Sequence, residues 1–175
     1  MTFHYNITKD DYFHYCMYYY DHNELIKKQV LLVRLLYGGI ILLASIAILI
    51  FSWTEYPLLS AAILWIMSAF LIGYTKRSMR KSNEKQYRKQ ISSGLGSEYI
   101  GSYTLELNDS GIVVSQSSKK SEIGYDNIKK IGQDEYCIYV YCGSISAIIL
   151  PFHTIQNEGQ KVEFFEFLQS KCPAL

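Results

Sequence analysis

Leu35–Thr54 reads LLYGGIILLASIAILIFSWT, twenty residues without a charge, and Tyr56–Tyr74 follows as a second uncharged run of nineteen. Twenty helical residues rise about 30 Å, the thickness of the hydrocarbon core of a bilayer. Neither run has a polar face, so neither fits the one-sided helix of a soluble domain. Two helices buried in a soluble core would need more surrounding chain than 175 residues supply. The spans are therefore placed at 31–54 and 56–74, joined by Ser52-Trp53-Thr54-Glu55-Tyr56-Pro57. Trp53 and Tyr56 suit a membrane–water interface, and Pro57 suits the first turn of a helix. So short a joint makes a tight hairpin with both chain ends on one side.

The charges flanking the hairpin decide which side that is. Lys27, Lys28 and Arg34 precede it, Lys76, Arg77, Arg80, Lys81, Lys85, Arg88 and Lys89 follow it, and the joint has no basic residue. The bias of Lys and Arg toward the inner face puts both termini in the cytoplasm. A cleaved leader is not expected, because the apolar run begins only after 34 residues without a small-residue cleavage site. Ala69-x-x-x-Gly73, with Gly38 and Gly39 in the first span, offers small residues for close helix packing. With no ionisable group inside either span, an ion or proton path is not expected.

The whole-chain averages conceal this division. Hydrophobic residues make up 49%, mean hydropathy is +0.02 and net charge is +1. An aromatic content of 15% excludes a disordered chain, and a pI near 7.6 argues against a general nucleic-acid binder. Segment by segment the balance is uneven. Residues 75–93 carry seven basic groups and one acid, while residues 94–175 carry six lysines and ten acids. The first is a basic juxtamembrane helix able to attract anionic headgroups.

Before the spans, residues 1–30 alternate as a strand at Phe3–Ile7, then signal a helix start at Thr8-x-x-Asp11. Tyr12, Phe13, Cys16, Met17 and Tyr20 share one face of that helix. Its acids, Asp10, Asp11 and Asp21, favour packing on the protein's own C-terminal domain over the membrane surface.

After the spans, Ser92-Ser93-Gly94-Leu95-Gly96-Ser97 reads as a flexible joint opening a domain at 94–175. Strands are expected at Tyr99–Leu107, Ile112–Gln116, Glu122–Tyr125, Tyr136–Cys142 and Ser146–Leu150, with turns at Asn108–Gly111, Ser117–Lys120 and Gly143-Ser144. Asn157–Lys171 reads as a helix with Val162, Phe164, Phe165 and Leu168 on one side. The fold class is thus membrane α+β: a transmembrane hairpin with a small, strongly bent sheet closed by a C-terminal helix.

No chemical motif stands out. Cys16, Cys137, Cys142 and Cys172 lie in expected cytoplasmic parts, where disulfides are rare. His4, His14, His22 and His153 have no zinc-ligand spacing, and Gly94-Leu95-Gly96 is no dinucleotide loop. Asp134-Glu135 reads as a solvated turn pair. No catalytic residue, metal or cofactor is expected.

The order of parts carries a resemblance. It runs from T-x-D-D-Y (Thr8–Tyr12) through a two-span hairpin and a basic segment. I-G-Y-D-N-I-K-K-I (Ile123–Ile131), Y-C-I-Y-V-Y (Tyr136–Tyr141) and I-I-L-P-F (Ile148–Phe152) then precede a last helix. Over nearly the whole chain this resembles the YcxB-like family of bacterial membrane proteins. The resemblance implies a bacterial inner-membrane location and a C-terminal domain similar to pleckstrin-homology-like domains, and it implies no established activity. About five strands precede the helix where a seven-stranded barrel needs seven, and Phe3–Ile7 is expected to add one.

The expected function is a membrane-anchored cytoplasmic binding or scaffolding module, with the lipid bilayer and an unidentified protein as partners and no nucleic acid. The rival expectations are a homo-oligomeric membrane assembly or minor transport component, and a membrane enzyme. Lys119, Lys120, Lys129 and Lys130 are the only basic rim available to the acidic domain.

Overall fold

The computed structural model describes residues 1–51, 56–117, 119–143, 146–155 and 158–172. Trp53, Thr54, Glu55, Ser118, Ser144 and Asn157 lie outside them. Two compact units result, Met1–Tyr18 with Arg88–Leu175 and Tyr19–Tyr87. The second unit is thus an insertion into the first.

The first unit is a β domain. β1 (Thr2–Ile7), β2 (Gly101–Leu107), β3 (Gly111–Gln116) and β4 (Lys119–Gly124) form an antiparallel sheet in that order. β5 (Lys130–Gln133), β6 (Cys137–Tyr141) and β7 (Ala147–Pro151) form a second. β1 is an added strand, as expected: it pairs with β2 from Thr2↔Glu106 to Ile7↔Gly101. The chain leaves this ladder at Ile7 and re-enters it at Gly101. Everything between is the β1–β2 connection.

Alternation sets the inward faces. Phe3, Tyr5 and Ile7 of β1 are buried, as are Leu105 and Leu107 of β2. Every residue of β6 is buried, because the second sheet is covered on both faces. The C-terminal helix α4 (Glu158–Lys171) closes one end. Its fully buried residues are Phe164 and Leu168, an i, i+4 pair, and Phe164 meets Phe3 edge-on at 5.5 Å. Each such side chain contributes about 1.5–3 kcal/mol of burial. Val162, expected on the same face, is exposed because it lies half a turn away.

α1 (Lys9–His22) starts where the motif says it should. Thr8 N donates to Asp11 Oδ2 at 2.8 Å, and Asp11 N donates to Thr8 Oγ1 at 3.2 Å, a reciprocal cap. The early part of α1 packs on the β domain's second sheet through rings. Tyr18 lies 4.6 Å from Tyr139, Tyr15 5.8 Å from Tyr139, and His14 stacks on Tyr136 at 3.8 Å.

The second unit consists mainly of α2 (Glu24–Phe51) and most of α3 (Pro57–Ser92). Asn23 caps α2, its Oδ1 accepting from Leu25 N at 2.7 Å. α3 runs through both the second span and the basic segment without a break, and its 36 residues rise about 54 Å. Hydroxyls within these helices donate to the carbonyl four residues back: Ser45 to Ile41 at 2.8 Å and Thr75 to Leu71 at 2.8 Å. That leaves them no unmet polarity to expose.

Several local readings change. Ser92–Ser97 is not a loose joint. Leu95 N donates to Gln90 O at 3.0 Å and Gly94 N to Ile91 O at 3.2 Å, with Gly94 at φ 103°. This is a Schellman cap, and its positive φ is why glycine stands there. A short 3-10 turn, Ser97–Tyr99, then replaces the expected start of β2. Lys130–Gln133 is a strand rather than a crossing segment, so six strands, not five, follow the helices. Asp134 is no mere solvated acid. Its Oδ1 accepts from Tyr136 N at 2.8 Å and Cys137 N at 2.9 Å, and its Oδ2 accepts from the Tyr139 hydroxyl at 2.8 Å. It ties the β5–β6 turn to the core.

Candidate functional site

α4 fills one end of the β domain. At the other, the sheets flank a half-open cavity of about 820 Å³. Its first wall is the inward face of the four-stranded sheet: Tyr5, Ile7, Tyr103, Val114 and Ile123. Register explains the grouping. Tyr5 is paired with Tyr103, Leu105 with Val114, and Ile112 with Ile123, so one side of the pleat carries all of them. The second wall is Ile148 and Ile149 of β7, with Cys142 just beyond β6. Lys119, Lys120, Gln116 and Glu98 also line the cavity, and both lysines are exposed.

Tyr5 stacks on Tyr103 at 5.6 Å with planes 14° apart. Burial, then the neighbouring Tyr103, raises the Tyr5 phenol well above its ordinary pKa. Its hydroxyl is buried with no hydrogen-bond partner among the described residues. The Glu98 carbonyl accepts from Gln116 Nε2 at 3.0 Å and from the Tyr103 hydroxyl at 3.3 Å, which fixes the 3-10 turn against the sheet. A Cβ at Gly96 would collide with the ring of Tyr12, which itself stacks on Tyr99 at 5.4 Å. Glycine there lets the ring pair sit close to the backbone.

The basic segment is laid out along α3. Lys76, Arg77, Arg80, Lys81, Lys85, Arg88 and Lys89 are all exposed. Two of them are engaged within the chain. Arg80 Nε donates to both oxygens of Asp21, at 3.2 and 3.1 Å, and that carboxylate raises the guanidinium pKa further. The Arg88 guanidinium lies 4.0 Å over the Phe13 ring. Arg77, Lys81 and Lys85 recur at i, i+4 and share one face.

The small residues of the spans are not where the helices bury surface. A Cβ at Gly38, Gly39 or Gly73 would meet nothing within 4 Å, and Ala69 is exposed. The buried small residues of this unit are instead Ser45, Ala61 and Ser68. Spacing alone could not separate the two sets, since both show small residues at helical intervals.

The thiols are free, and all but Cys142 are buried. Burial pushes Cys16 up to about 11 and, with Asp11 and Asp134 nearby, Cys137 up to about 12. Such thiols stay protonated and inert at neutral pH. His153 Nδ1 stands 3.6 Å from Asp11 Oδ1, joining the last 3-10 turn to the start of α1. Among the described residues, no three His, Cys, Asp or Glu side chains gather as metal ligands would.

These features define a class: an α+β protein with a long apolar helical pair inserted into a small antiparallel domain. The YcxB-like protein family model matches residues 107–168. That segment runs from the end of β2 to the buried Leu168 of α4, so the match is to part of the β domain, and β1, α1, α2, α3 and most of β2 lie outside it. The family resemblance is shown for that segment rather than for nearly the whole chain. No curated protein and no solved structure matches the chain significantly. The cavity and the unmet Tyr5 hydroxyl have no signature in the sequence, because their residues come from β1, β2, β3, β4 and β7.

Proposed function

We propose that the chain is a membrane-anchored binding or scaffolding module of a bacterial inner membrane. In this reading α2 and α3 span the bilayer as a hairpin, both termini are cytoplasmic, and the β domain is a pleckstrin-homology-like fold that engages a partner. The observation that carries it is exposure. In the most apolar 18-residue stretch of α2 only 6% of residues are buried, and in that of α3 11%. A soluble core helix would be mostly covered, whereas helices of this length and composition find their apolar surroundings in lipid. The fold comparison is supported by seven strands in a four-plus-three arrangement with a C-terminal helix. The orientation is supported by the lysines and arginines at the outer ends of the hairpin. Anchoring raises the local concentration of the β domain for membrane partners, so weak contacts suffice. The test is a phosphatase reporter fused at the C-terminus: silence in the periplasm is expected, and activity there overturns the orientation.

A homo-oligomer is the second reading. Gly38, Gly39 and Gly73 face open space in the single chain, which favours their use by a second copy. Crosslinking in membranes decides it, and a strict monomer ends it.

A further inference from the structure

The cavity at the open end of the β domain has the makings of a ligand site. Its volume of about 820 Å³ falls among those of small-molecule pockets, roughly 300–1,000 Å³. Its deeper wall is apolar at Ile7, Val114, Ile123 and Ile148, while Glu98, Gln116, Ser121 and Ser146 add polar atoms toward the mouth. A concave site with an apolar wall and a few polar groups at its mouth is the usual form of a small-molecule pocket. One wall residue, Tyr5, buries a hydroxyl without a partner, and a buried donor left unmet points to a missing acceptor. The polar lining is uneven in charge. Lys119 and Lys120 open β4 at the cavity's edge, Lys119 opposite Gln116 on the cavity side of the pleat and Lys120 opposite Ser115, and Glu98 is the single carboxylate of the lining. A cleft with an apolar inner wall, an unmet buried hydroxyl and lysines at its edge fits a molecule with a long apolar body and one anionic end.

We propose that this cavity binds a single-chain anionic amphiphile, its acyl chain lying against Ile7, Val114 and Ile148 and its head accepting from the Tyr5 hydroxyl and facing Lys119 and Lys120. The chemistry is shared by free long-chain fatty acids and anionic lysophospholipids. The inference rests on the reading of the chain as a membrane-anchored binding module, and names the ligand class of that module.

Cys142 supplies a native reporter. It lies in the cavity wall and is partly exposed, while Cys16, Cys137 and Cys172 are buried. The full chain is placed in phosphatidylcholine nanodiscs, and alkylation of Cys142 by a maleimide is followed by intact mass. Palmitate or lysophosphatidylglycerol is expected to slow labelling saturably; protection by only one of them identifies the source. Hexadecanol, the same chain without the charge, is expected to need about tenfold more for equal protection. The double variant Lys119→Glu, Lys120→Glu should shift the palmitate requirement upward by on the order of tenfold. Val114→Phe, which fills the chamber, should abolish protection. The lysine pair is exposed, so its variant tests the site even if the filled cavity prevents folding. Native mass spectrometry asks the same question independently, with one palmitate retained per chain as the expected result. Absence of both protection and retained palmitate, or hexadecanol equal to palmitate, overturns the proposal. Recovery of the chain in the membrane fraction is scored separately. A chain that stays in the membrane yet binds nothing sinks only the ligand, whereas a chain found in the soluble fraction sinks the anchored module itself.

Discussion

The same residue types are used in opposite ways in the two units. In the β domain, Leu105, Ile112, Ile138 and Leu150 are fully or almost fully buried. In α2 and α3, Leu43 is 68% exposed, Ile66 71% and Phe70 77%. The β domain makes its own apolar interior by closing two sheets and a helix on one another. The helical pair makes none, and its few buried small residues are Ser45, Ala61 and Ser68. Hydrophobicity therefore has a structural consequence only together with its surroundings: one unit excludes water by folding, and the other leaves its apolar surface uncovered within the chain.

Substitutions can break or sharpen this contrast. The largest effect is expected in the self-made core. Phe164→Ala removes the ring that plugs the closed end and should destabilise the β domain by about 3–5 kcal/mol, read as a fall in its denaturant midpoint. Next comes Leu43→Asp. At an exposed position of a water-soluble protein it would change little, but at the centre of a spanning helix an Asp costs about 2.5–3.5 kcal/mol, seen as lost membrane recovery. Val162 in α4 is its control: it is 52% exposed in the β domain, and Val162→Lys should shift stability by no more than about 0.5 kcal/mol. If both substitutions are neutral, the contrast fails. Asp134→Ala should cost about 1–3 kcal/mol by freeing two backbone donors and the Tyr139 hydroxyl, again read in the denaturant midpoint.

The mildest expectation concerns pH. Burial raises the Cys16 thiol to about 11 and Cys137 to about 12 from an unfolded value of 9.0. Raised values mean that the fold favours the neutral thiols. Their contribution is fully present below pH 9.0 and is lost as pH rises through about 11 and 12. The melting midpoint of the β domain should show no thiol-linked fall up to pH 9 and should decline above it. Replacing Cys137 with Ser should shrink the alkaline decline.

Legibility followed the range of the interaction. The helical pair was readable because twenty successive uncharged residues are a local signal, and so was the α1 start, because Thr8 and Asp11 cap each other within one turn. β5 was missed. Lys130-Ile131-Gly132-Gln133 has one apolar side chain and no alternation to count, and it is a strand because β6 pairs with it from Lys130↔Tyr141 to Gln133↔Ile138. The role of Asp134 was missed for a similar reason, since its third donor is a tyrosine on the next strand. That Phe3–Ile7 would add a strand to the β domain was anticipated from the strand count, but its partner β2, about a hundred residues away, was not. Which of the tyrosines would wall a cavity was beyond reach, because that depends on registers in three strand pairs at once.

The central claim is that the exposed apolar surface of α2 and α3 belongs in lipid. Extraction of cell membranes with alkaline carbonate tests it most directly. The account predicts that the full chain stays in the pellet and leaves it only with detergent. A chain released into the carbonate supernatant would contradict it.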